Sequence, residues 1–113
     1  MKGSCHCGNV QFTVDGAPTE AMSCNCSMCQ RKGTLMWFVS REQFHLHTPE
    51  HHLRDYTFNK HVIQHRFCQQ CGIHAFCEGI RPDGVAMVAI NVRCLEDFDM
   101  DALPLKHYNG RAL

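Results

Sequence analysis

Seven of the nine cysteines in this chain fall into three clusters, and no other feature limits the fold as strongly. Cys5 and Cys7 stand in "CHCG", Cys24, Cys26 and Cys29 in "CNCSMC", and Cys68 and Cys71 in "CQQCG". Reduced thiols at these spacings are metal ligands, and an odd cysteine number with no apolar leader-like run points to a reducing, cytoplasmic setting rather than to disulfides. Side chains two apart in an extended segment face the same way, so Cys5 and Cys7, and likewise Cys24 and Cys26, are expected to grip one ion each. Cys68-Gln69-Gln70-Cys71-Gly72 reads as a zinc knuckle, with the glycine supplying the backbone freedom to leave the turn.

Structural zinc takes four protein ligands, whereas catalytic zinc takes three and keeps one exchangeable position. If the compact C-x-C-x-x-C cluster stays together, the other two pairs complete a four-cysteine site from Cys5, Cys7, Cys68 and Cys71. Such a site ties the N-terminus to the middle of the chain across more than sixty residues. Cys24, Cys26 and Cys29 then hold a second zinc whose fourth position is free. Three thiolates leave that ion weak as a Lewis acid and disfavour hydrolysis. Capturing and ionising a substrate thiol is the chemistry that remains.

The rest of the pattern predicts a mainly β, antiparallel domain over residues 1–113. Alternating or β-branched runs mark "NVQFTVDG", "TLMWFVS", "HLRDYTF", "VIQHRF", "IHAFCEG" and "VAMVAINV" as strands, for a total of roughly seven or eight. "SMCQRKG" predicts a short helical turn and "CLEDFDMDAL" another. Eleven basic and eleven acidic side chains cancel, which gives no general attraction to nucleic acid or anionic membrane. No stretch reaches the length of a membrane span.

"GSCHCGNVQF", "SCNCSMCQRKG" and "RFCQQCGIHAF" resemble, in order and spacing, the family of glutathione-dependent formaldehyde-activating enzymes, which includes the centromere protein V group. That resemblance implies a tent of β-sheets pinned by a structural zinc at Cys5, Cys7, Cys68 and Cys71. It also implies a catalytic zinc at Cys24, Cys26 and Cys29. The implied reaction joins a small thiol, glutathione, to a small aldehyde, formaldehyde, to give S-hydroxymethylglutathione, formally a carbon-sulfur lyase activity. Arg31 and Lys32, directly after the second cluster, are candidates to pair with glutathione's carboxylates.

Other residues read more blandly. Trp37 and Phe38 are expected in the core, and His45, His47, His51 and His52 as surface histidines of a polar loop rather than a third metal site. Cys77 reads as a small buried hydrophobe, while the spacing leaves the role of His74 open. Cys94 follows Arg93, a cation expected to depress its pKa, and a lone thiol beside a structural zinc resembles methionine-R-sulfoxide reductases. A non-catalytic zinc-binding interaction module is the remaining alternative.

Overall fold

The structure, a computed structural model, describes residues 1–112. Among these residues ten strands form two sheets, and one short helix follows β3. The smaller sheet has the order β1-β2-β5, with β1 at Lys2–Ser4, β2 at Gln11–Val14 and β5 at Phe44–Leu46. The larger runs β10-β3-β4-β9-β8-β7-β6. Its strands are β3 (Ala21–Cys24), β4 (Met36–Ser40), β6 (Leu53–Tyr56), β7 (Gln64–Cys68), β8 (His74–Ile80), β9 (Ala86–Asn91) and β10 (Leu105–Tyr108).

Alternation decides which side chains meet. In β2, Phe12 and Val14 are buried while Gln11 is exposed. Phe12 packs on Phe44 of its own sheet and on Phe76 of the larger one, with ring centroids 5.3 and 6.3 Å away, and Phe44 lies 4.5 Å from Phe76. With Val10, Val88, Ile90 and Val92 these rings fill the space between the sheets. Gly3 faces the Phe12 ring so closely that a Cβ there would overlap it.

The central strands β8 and β9 are buried on both faces, as a continuous apolar run such as "VAMVAIN" requires. Phe76 and Ile90 point to the main core. Their neighbours Cys77 and Ala89 point the other way, into a second, smaller cluster with Cys29 and Met36. Both faces of one sheet therefore carry sulfur chemistry.

All six segments read as strands become strands, and the helical turn at "SMCQRKG" becomes α1, Ser27–Lys32. Ten strands among the described residues exceed the seven or eight expected, because β1 (KGS), β3 (AMSC), β5 (FHL) and β10 (LKHY) are short and lack a run of β-branched or aromatic residues to mark them. All strand pairs are antiparallel except β10 with β3, which is parallel. "CLEDFDMDAL" does not form one helix. Val92–Cys94 and Met100–Ala102 are single 3-10 turns capped by Asn91 and Asp99, whose side chains accept from Arg93 N and Asp101 N. Among the described residues no helix is long and apolar enough to cross a membrane.

Candidate metal centre

The two terminal pairs of the 2-3-2 pattern meet. Cys5 and Cys7 sit on the turn after β1, Cys68 ends β7, and Cys71 lies on the turn before β8. Their four sulfurs lie within 4.8 Å of one another. Cys5 Sγ is 3.7 Å from Cys7 Sγ, which is 3.6 Å from Cys68 Sγ. A zinc ion with bonds of about 2.3 Å to four sulfurs sets tetrahedral edges of about 3.8 Å, so these sulfurs stand at ligand spacing rather than at disulfide distance. The first pair is not extended, as the two-residue spacing suggested. A turn replaces the strand, with Val10 N donating to Cys5 Sγ at 3.3 Å.

Backbone amides shape the knuckle. Gln70 N and Cys71 N donate to Cys68 Sγ at 3.3 and 3.4 Å, and Gly72 adopts φ 77° to exit the turn. Burial works against ionisation of Cys71, but amide hydrogen bonds from Cys7 and Ile73 outweigh it and hold the thiol down at about 6. These amides therefore favour the thiolate at Cys71, while the neighbouring sulfurs act the other way on Cys7. The four-cysteine group also joins the two sheets, since Cys5 and Cys7 follow the edge strand β1 of the small sheet while Cys68 and Cys71 lie at the end of β7, next to the edge of the large one.

The three-cysteine cluster is built by helix capping. Cys26 is the N-cap of α1, and its sulfur accepts from Cys29 N at 3.3 Å, the role an Asp or Ser oxygen usually fills. This cap turns Cys26 and Cys29 to one side, where Cys24 at the end of β3 joins them. Gly33, at φ 70°, closes the helix after six residues. Among the described residues no fourth His, Cys, Asp or Glu donor lies within 4.8 Å of all three sulfurs. Burial pushes the Cys29 thiol up to about 12, whereas amide donors hold Cys26 below the ordinary thiol value despite its partial burial.

One wall of this cluster comes from a segment that sequence reasoning left unassigned. β10 lies parallel to β3 with Tyr108 opposite Cys24. Asn25 N donates to Tyr108 O at 3.2 Å, Asn25 Nδ2 to Asn109 Oδ1 at 2.9 Å, and Arg111 N and Nε to Asn25 Oδ1 and O at 3.1 and 2.8 Å. Gly110 rests directly on the Cys24 sulfur, since a Cβ there would stand 2.6 Å from Cys24 Sγ. The signal was the glycine in "HYNGR", a residue type suited to close backbone approach.

The two basic residues after the cluster diverge. Arg31 is exposed, and its Nη1 donates to Ser27 O at 2.9 Å. Lys32 turns inward, with Nζ 3.0 Å from His65 Nδ1, 3.5 Å from His74 Nε2 and 3.7 Å from Cys77 Sγ. Cys77 is buried as expected, but among polar groups. Burial, and then the Lys32 charge, push His65 down to about 4 and His74 to about 3.

Trp37 packs against the main core as expected, but Phe38 does not. It is 46% exposed and lines an apolar groove of about 440 Å³ with Met22, Cys77, Met87 and Ala89. The loop histidines do not converge: His45 meets Asp15, His47 meets Thr13 and His52 meets the Asn9 carbonyl. Cys94 is 9% exposed, and burial, followed by the neighbouring Cys5 and Cys71 sulfurs, pushes its thiol up to about 11. Arg93 is exposed and does not lower it. That environment does not favour the thiolate that a reductase nucleophile requires.

Four sulfurs gathered to one point and three gathered to another, on a frame of two β-sheets, define a mainly β protein whose cysteine clusters could hold metal ions. Residues 1–108 match the model of the family described as glutathione-dependent formaldehyde-activating enzyme, and the chain belongs to that family. A crystal structure of a Rhodobacter sphaeroides protein is similar over 94% of this chain and 100% of that one, at 28% identity and a TM-score of 0.80.

Proposed function

We propose that this chain catalyses addition of a small thiol, glutathione or a close relative, to a small aldehyde such as formaldehyde, and the reverse cleavage. It is thus a carbon-sulfur lyase of the S-hydroxymethylglutathione synthase type. The observation that carries this reading is the second sulfur cluster: three convergent thiols with no fourth side-chain donor among the described residues, beside an apolar groove. Cys24, Cys26 and Cys29 would hold the catalytic zinc, and Cys5, Cys7, Cys68 and Cys71 the structural one, giving two ions per chain. Bound there, zinc would supply a coordination position at which a substrate thiol ionises near neutral pH.

The chain's own residues supply the rest. Met22, Met36, Cys77 and Ala89 surround the cluster and keep water from the reacting sulfur. The Gly110 backbone limits approach from the β10 side. On this reading exposed Arg31 would meet a glutathione carboxylate, and Lys32 would supply positive charge one helical turn after Cys29. In the addition, sulfur forms a bond to the carbonyl carbon, the carbon-oxygen π pair moves to oxygen, and the thiol proton ends on that oxygen. No oxidant or reductant is required. Nine unpaired cysteines suit the cytoplasm, and residues 1–113 act as one domain on this reading.

The test is exchange between free formaldehyde and S-hydroxymethylglutathione, followed by NMR with the zinc-loaded protein. Faster exchange that disappears in Cys29→Ser supports the assignment. Exchange at the uncatalysed rate with a fully loaded protein would favour a non-catalytic binding module.

A further inference from the structure

His65, His74 and Cys77 converge on the face of the large sheet that carries the second sulfur cluster, yet belong to neither sulfur group. His65 on β7 and Cys77 on β8 are direct cross-strand partners, so their side chains leave the sheet on the same side. His74, three residues before Cys77, joins them past the irregularity between Arg66 and Phe67. His65 Nδ1, His74 Nε2 and Cys77 Sγ lie within 4.8 Å of one another, and the sulfur is 3.3 Å from each nitrogen. Bonds of about 2.3 Å to sulfur and about 2.1 Å to nitrogen in a tetrahedral site separate S from N by about 3.6 Å, close to what is seen.

The occupant of this point is the Lys32 ammonium, 3.0–3.7 Å from all three donors. An ammonium has three N–H donors and no lone pair, so each partner must present a lone pair to the same spot. The far nitrogens, His65 Nε2 and His74 Nδ1, are buried and have no partner. Nothing on the outer side of either ring favours this orientation, so the shared centre sets it. Lys32 also lines a cavity of about 600 Å³ with Asn91, Arg93 and Cys94, into which its flexible stem can withdraw.

We propose that His65, His74 and Cys77 form a third metal site, taken by a borderline divalent ion such as zinc or cobalt in exchange for the Lys32 ammonium. One imidazole-rich, single-sulfur donor set suits such ions and not calcium or magnesium. On binding, the ion forms bonds to two neutral ring nitrogens and to sulfur, the Cys77 thiol proton leaves to solvent, and Lys32 moves out with its charge intact. The site shares Lys32 and Cys77 with the surroundings of the second cluster, but its three ligands are separate from Cys24, Cys26 and Cys29.

The test uses the full chain carrying Cys24→Ser, Cys26→Ser and Cys29→Ser, with zinc at the four-cysteine site, titrated with cobalt(II). The expected result is one further equivalent with tetrahedral ligand-field bands and a single sulfur-to-cobalt charge-transfer band. Cys77→Ala should abolish that band, His74→Gln should weaken binding about tenfold or more, and Lys32→Met should tighten it about tenfold by removing the competing cation. Retained zinc reports that each variant is folded. No further equivalent in the folded protein, or cobalt binding unchanged by both Cys77→Ala and His74→Gln, overturns the proposal. Because the second cluster is absent from this protein, either outcome leaves the thiol-addition reading to its own test.

Discussion

The Cys7 and Cys68 sulfurs lie 3.6 Å apart across 61 residues of sequence, and this contact joins the two sheets at one end of the molecule. A metal there closes a loop of 61 residues and adds folding energy on the order of 10 kcal/mol. Cys68→Ser should therefore unfold or aggregate the protein, and strong chelation should do the same. Cys29→Ser should keep a native circular dichroism spectrum and lose one metal equivalent. Equal destabilisation by the two substitutions would contradict the division between the clusters.

Phe76 has no exposure and contacts both Phe12 and Phe44, so it is the point where the sheets meet away from any metal. Phe76→Ala should cost about 3–5 kcal/mol in urea unfolding of the metal-loaded protein. A loss under about 1 kcal/mol would mean the sulfur group alone holds the sheets together.

Gly110 is expected to matter at the second cluster and not for overall stability. Gly110→Ala sets a methyl group against Cys24 Sγ, so the C-terminal segment must shift. Affinity for the second metal should fall about tenfold while the thermal midpoint moves by only a few degrees. Metal titration with and without the substitution checks this directly.

Arg66 bridges three strands or turns at once, at 2.6 Å from Glu50, 2.8 Å from Asp55 and 2.9 Å from Glu78, and its side chain is only 11% exposed. Glu50 is mostly in solvent, which discounts its share. Arg66→Met should cost roughly 1 kcal/mol, measured by denaturant unfolding, because Asp55 loses this partner while Glu78 keeps Arg41 at 3.0 Å.

The cysteine pattern made both sulfur groups readable from the sequence, because metal-ligand spacing is a short-range signal carried by residue type. β2, β4, β6, β7, β8 and β9 were readable for a similar reason: each lies in a run of β-branched, aromatic or alternating residues bounded by turn residues. Lys32 pointing inward, Phe38 on a groove wall and β10 against Cys24 were not readable. Each depends on which strand lies alongside which, and the parallel β10-β3 pair joins residues more than eighty positions apart with no alternation in "LKHY" to announce it. Cys77 looked apolar because its polar neighbours, His65 and Lys32, come from other elements. Cys94 looked activated because Arg93 is adjacent in sequence, yet burial and the nearby sulfurs act on it instead.

The central claim is that Cys24, Cys26 and Cys29 leave a metal position open to a thiol, and cobalt substitution followed by glutathione titration tests it most directly. The charge-transfer absorption of the protein should rise by one additional sulfur ligand per chain and saturate, and Cys29→Ser should remove that response. A spectrum indifferent to glutathione, with both cysteine clusters loaded, would contradict the account.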